Sequence, residues 1–154
     1  MSTTIRSNNL LDQIRDRIDR GQVSEALEMI NRSSQHSPPM ENARAVCMMR
    51  LGKIDQAVII LRELVFPRGS VCVAVDTPTV YQTNYVTAML LSGNVFGATG
   101  VLSGIHDREH PAVMKLKTAI RKWKKGLGLF RRILCVFGAY PSRPVPLDFP
   151  PGDL

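Results

Sequence analysis

The hexapeptides GQVSEA (residues 21–26), GKIDQA (52–57) and GNVFGA (93–98) share one pattern: a glycine, an apolar residue two places on, and an alanine three places after that. Glycine stops a helix because it enters the left-handed region without steric penalty. Alanine favours a helix and leaves room for a neighbour to approach. Each hexapeptide therefore reads as the turn of a helix hairpin plus the start of its second helix. One such hairpin cannot bury its apolar face alone, so three of them predict a stack.

The flanking sequence supports that reading. Before Gly21, the run LLDQIRDRIDR sets Leu10, Leu11, Ile14 and Ile18 at helical spacing. After it, Gln22 or Ser24 can open a helix carrying Val23, Ala26, Leu27 and Ile30, which SSQHSPP closes because proline cannot continue a helix. ENARAVCMMRLG and KIDQAVIILRELVF repeat the pattern up to Pro67 and Gly69, and PTVYQTNYVTAMLLSG and NVFGATGVLSGI give a third pair. Between them, SVCVAVDT (70–77) holds a short β-branched run that reads as a strand or, for want of a partner strand, as an apolar loop against the helices. From Gly69 to His106 the sole charged residue is Asp76, so the third pair is expected to be covered on more than one side. Gly97, Gly100 and Gly104 in its second helix suggest close approach of a neighbour; no GxxxxGK[ST] or strand-to-helix GxGxxG motif supports a phosphate cradle.

Beyond Pro111, Val113, Leu116, Ile120, Trp123, Leu127, Phe130, Leu134 and Phe137 form one apolar stripe at heptad spacing. Gly126 and Gly128 interrupt it, which favours two helices, about 111–125 and 129–138, over one long helix. The remainder, AYPSRPVPLDFPPGDL (139–154), has five prolines in sixteen residues and is expected to be extended.

At 154 residues, 44% hydrophobic and 21% charged, the chain is sized for one globular domain. It holds no run of about 18 uncharged apolar residues and its start is too polar for a secretory signal, so a cytoplasmic protein is expected. Cys47, Cys72 and Cys135 form no CxxC pair and read as reduced thiols, Cys47 and Cys135 as small core residues. His106 and His110 stand four apart, a spacing that can share a metal on a helix, but Pro111 makes an exposed turn the better reading. With no GxSxG, HExxH or kinase motif set, neither an enzyme nor a cofactor or metal site is indicated.

Ala45, Gly52, Ala57, Leu61 and Leu64 in the second unit resemble the tetratricopeptide repeat family, in which a small residue in the first helix, a glycine before the second and an alanine early in it mark each pair. Val86, Gly93, Ala98, Leu102 and Ile105 repeat the resemblance, as do Ile14, Gly21, Ala26, Ile30 and Pro38. The resemblance implies an all-α superhelix of three to four hairpins, at about 9–34, 40–66, 78–105 and 111–138. It also implies a non-enzymatic scaffold whose first helices line a groove for a partner's peptide or helix. Carried over by position, that groove holds Asn42, Val46, Met49, Arg50, Thr83, Asn84, Thr87 and Leu91. Asn84 stands where groove asparagines hold a peptide backbone, though it can equally bond within its own hairpin.

The net charge of +7 is concentrated at one end. Lys115, Lys117, Arg121, Lys122, Lys124, Lys125, Arg131, Arg132 and Arg143 follow one another with no acid between them. The first eight read as a solvated cap, as a site for acidic protein or nucleic acid, or as a membrane-surface patch. For the whole chain a protein or peptide partner is expected ahead of nucleic acid or a membrane surface, and the basic end would steer an acidic one. The closing segment has its own alternative: filling the groove in its own chain or a neighbour's through Val145, Leu147 and Phe149.

Overall fold

The computed structural model describes residues 2–66, 73–74, 76–136 and 138–154, without the side chains of residues 2–9, Phe130, Arg131, Arg132 and Leu134. Among these residues it is all-helical: α1 (Ser2–Asp19), α2 (Val23–Arg32), α3 (Pro38–Arg50), α4 (Ile54–Val65), α5 (Thr79–Leu91), α6 (Val95–Gly104), α7 (Pro111–Gly126) and α8 (Leu129–Val136). No helix among them is long and apolar enough to cross a membrane.

The threefold hexapeptide becomes a threefold backbone geometry. Gly21, Gly52 and Gly93 have φ of +78°, +75° and +84°. At each turn two amides close on the helix just ended, Gly21 N on Ile18 O and Gln22 N on Arg17 O, then Gly52 on Met49 and Lys53 on Met48, then Gly93 on Leu90 and Asn94 on Met89. This pair of bonds satisfies the orphan carbonyls of a helix end and needs the left-handed residue that glycine supplies. The next helix opens identically, with Ala26, Ala57 and Ala98 donating to the carbonyls of Gln22, Lys53 and Asn94. All three alanines are wholly buried, so a larger side chain there meets a neighbouring helix. Asn94 adds a side-chain cap, its Oδ1 accepting from Gly97 N at 3.0 Å.

Neighbouring helices pack in chain order, α1 on α2, α2 on α3, α3 on α4, α4 on α5 and α5 on α6. The first helix of each pair also touches the next: α1 meets α3, α3 meets α5 and α5 meets α7. α5 is the centre of the molecule, buried without a break from Gln82 to Leu90. Its near-absence of charge is the sequence counterpart of that covering.

Several expectations change. α1 begins at Ser2 rather than near residue 9, there being no glycine or proline from residue 2 to 19 to stop it. Of the three glycines in α6, only Gly97 is closely approached: a Cβ there would lie 2.4 Å from Met89 Cε, whereas Gly100 and Gly104 have nothing within 4 Å. The stripe after Pro111 does fold into two helices at residues 125–128. Val113, Leu116 and Ile120 are buried, and Trp123 packs against the core half-covered. Of the apolar run at 70–77, residues 70–72 and Val75 lie outside the described residues, as do Pro67, Gly69 and Phe137. Val73 and Ala74 stand in neither helix nor strand, and Ala74 N donates to Val65 O at 3.1 Å.

Candidate peptide-binding site

Residues 139–154 contain no helix, and they cross the face that α7, α5 and α3 form together. Tyr140 starts the crossing: its hydroxyl accepts from Lys124 Nζ at 3.1 Å, the ammonium lies 4.9 Å from its ring centroid, and the Phe96 ring lies 6.1 Å from it, centroid to centroid. The backbone of Ser142 and Arg143 then passes the α5–α6 turn so closely that a Cβ on Gly93 would lie 3.2 Å from it. Val145 follows, wholly buried, its N–H donating to Leu90 O at 3.0 Å.

The densest contacts come at the end of the crossing. Asp153 N–H donates to Asn84 Oδ1 at 2.9 Å, and Asn84 Nδ2 donates to Asp153 O at 2.7 Å. One side-chain amide thus grips both backbone groups of one residue, as a neighbouring strand would. Asn84 Nδ2 also donates to Asn42 Oδ1 at 2.8 Å, and Asn42 Nδ2 lies 3.3 Å from the same Asp153 carbonyl. Both asparagines are almost fully buried, and each side chain uses both its donor and its acceptor end or shares the same carbonyl. Their orientation is fixed because reversing Asn84 would set oxygen against oxygen at Asp153.

Arg50 completes the grip. Its Nε donates to Pro151 O at 3.2 Å and its Nη2 to Gly152 O at 3.1 Å, while Nη1 reaches Ile18 O at the end of α1 at 3.2 Å. The rigid guanidinium fork ties two successive carbonyls of the segment to the first helix pair. Gly152 is required by space as well as by conformation. Its φ is +82°, and a Cβ would sit 2.8 Å from Val46 Cγ2 and from Met49 Cε. Farther along, Thr83, Asn84 and Thr87 face Phe149, Pro150 and Asp153 across a void of about 10 Å³, bordered on α7 by Lys115 and Leu116. The threonine hydroxyls donate within α5, Thr83 to Thr79 O and Thr87 to Thr83 O, so they offer the segment methyls and lone pairs.

The residues named for the groove are thus brought together around the chain's own last residues. Asn84 bonds outside its own hairpin, to Asn42 and Asp153. Leu91 packs on the core, and it is the Leu90 carbonyl that meets the segment. Of the apolar residues expected to fill the groove, Val145 and Phe149 pack against the core, but the third is Leu154 in place of Leu147. Gly152 was the missed participant; a glycine between proline and aspartate looks like an ordinary turn until Val46 and Met49 are seen beside it.

The basic segment divides. Lys115 borders the site just described, and Lys122 pairs with Asp148 of the closing segment at 3.2 Å, both largely exposed. Lys117, Arg121, Lys124 and Lys125 line a separate cavity between α6, α7 and α8. The side chains of Arg131 and Arg132 lie outside the described residues. His110 caps α7, its Nδ1 accepting from Ala112 N at 3.3 Å, and no cluster of three metal-ligating side chains occurs among the described residues. Cys47 and Cys135 are free and buried; burial pushes the Cys47 thiol up to about 11, against a smaller opposing pull from Arg50. Cys72 lies outside the described residues.

No protein-family model matches the chain, and neither a curated protein nor a solved structure matches it.

Proposed function

We propose that this chain is a tetratricopeptide-like superhelical stack of helix pairs that works as a non-enzymatic protein-interaction module. Its face of first helices takes an extended peptide, and its own closing segment occupies that face in the absence of a partner. The observation that carries the reading is the two-point hold of Asn84 on the backbone of Asp153, reinforced by Arg50 on Pro151 and Gly152. Groups that bond only backbone accept many sequences; specificity falls to the shape around Gly152 and to the apolar contacts of Phe149 and Leu154. The partner's segment is expected to resemble the occupant it replaces. Residues 144–154 hold two aspartates, four prolines, a glycine and no cation, beside Lys115 and Lys122. An acidic, proline-rich segment with a glycine ahead of its anchoring residue fits that description. The buried free thiols suit a reducing compartment such as the cytoplasm.

A trans-peptide titration tests this. A segment tethered in its own chain competes at an effective concentration in the millimolar range, so labelled peptide 144–154 at micromolar levels should barely bind the unaltered protein. Gly152→Ala loosens the tethered copy and leaves the face intact. Fluorescence anisotropy should then show that variant taking up the unaltered peptide at least about tenfold more tightly, and the added change Asn84→Ala should abolish the gain. Equal, weak binding by all three proteins would remove the proposal.

A further inference from the structure

A second site adjoins the start of the closing segment, where Tyr140 meets Lys124. Between α6, α7 and α8 is a cavity of about 560 Å³, lined among the described residues by Thr99, Leu102, Ser103, Lys117, Ile120, Arg121, Lys124, Lys125 and Cys135. That volume falls in the range of small-molecule sites, about 300–1,000 Å³. Its walls are effectively apolar. Leu102, Ile120 and Cys135 are buried, and the two hydroxyls are already committed, Thr99 Oγ1 to Phe96 O and Ser103 Oγ to Gly100 O, both at 2.8 Å. They present carbon and lone pairs to the cavity, with no free donor.

The polar contribution is of one sign. Lys117 and Arg121 lie one helical turn apart on α7 and have no ion-pair partner among the described residues. Lys124 is held by Tyr140, and Lys125 completes the cationic lining. Like charges a turn apart repel, and no carboxylate among the described residues lines the cavity to relieve them. An anion placed there gains first from Lys117 and Arg121. Elsewhere on α8, outside that lining, Leu129, Ile133 and Val136 are exposed at 75%, 50% and 82%. An open apolar cavity with a cationic edge is complementary to a ligand with an apolar chain and an anionic head. Nucleic acid fits it poorly, since its bases need rings to stack on and no aromatic side chain among the described residues lines the cavity.

We propose that this cavity binds a single-chain lipid anion, its head group, carboxylate or phosphate monoester, held by Lys117 and Arg121 and its chain laid against Leu102, Ile120 and Cys135. Calorimetric titration of the full chain below the micellar concentration tests it, with oleate, oleoyl lysophosphatidate, neutral monoolein and inorganic phosphate as probes. One-to-one binding of oleate or lysophosphatidate is expected, the preferred probe distinguishing a carboxylate from a phosphate head. Monoolein and inorganic phosphate should each bind at least about tenfold more weakly, because each lacks one half of the recognition. The double change Lys117→Glu with Arg121→Glu should weaken the preferred probe at least about tenfold. Ser103→Phe, which crowds the cavity and leaves every charge in place, should do the same. Absence of binding, inorganic phosphate as tight as the lipids, monoolein as tight as oleate, or undiminished binding by the folded Ser103→Phe protein would each overturn the proposal.

Discussion

Asn84 and Cys47 show what single side chains contribute. Replacing Asn84 by alanine strips Asp153 N–H and Asn42 Oδ1 of their partner, and denaturant unfolding should register a loss of about 1–3 kcal/mol. Asn84→Asp at pH 7 should be worse than alanine, since a carboxylate oxygen would then face the oxygens of Asn42 and Asp153; an aspartate milder than alanine would contradict the bonding described. At Cys47 the relevant quantity is a proton. The unfolded thiol ionises near the ordinary value of 9.0 and the folded one near 11, so the unfolded chain loses its proton first as pH rises. Stability should therefore fall between about pH 9 and 11, by at most about 1.4 kcal/mol per pH unit, with little slope from this group below about pH 8. Tyr81 and Tyr85, whose hydroxyls burial also pushes up, are common to both proteins when Cys47→Ala serves as reference. A Cys47→Ala protein with the same alkaline fall would show the thiol to be irrelevant.

Helix ends are where the sequence was most readable. The glycine with its following alanine maps onto three superposable turns because one backbone conformation, closed by the same two amide bonds, needs a left-handed residue at one fixed offset. Those turns are not equivalent, however. A Cβ on Gly52 would face open space, whereas one on Gly93 would lie 3.2 Å from the closing segment. Gly52→Ala should therefore cost about 1 kcal/mol, from φ alone, and Gly93→Ala at least about 1 kcal/mol more, measured by thermal or denaturant melting. Equal losses would mean that the segment does not pass that turn. The glycines of α6 were less readable. Gly97, Gly100 and Gly104 look alike along the chain, and only the position of Met89 on α5 separates the first from the others.

On the scale of the whole molecule, helix pairing followed from local pattern, but the use of the helices depended on contacts between residues far apart. Asn42 and Asn84 could be placed on one face by carrying the repeat family's pattern onto their positions. That they hold residue 153 of the same chain could be anticipated only as one option, because proline-rich sequence specifies an extended path and not its destination. The acid-free run from Lys115 was visible as one block of charge, and its division between the face that carries the closing segment and another cavity became clear only with α6 and α8 around α7. The direct test of the central claim is amide hydrogen exchange of the full chain, read residue by residue by NMR. Asp153 and Val145 should exchange at least about a hundredfold more slowly than in the free 144–154 peptide, and Asn84→Ala should return Asp153 to the free-peptide rate. An Asp153 amide that already exchanges at that rate in the unaltered protein would contradict the account.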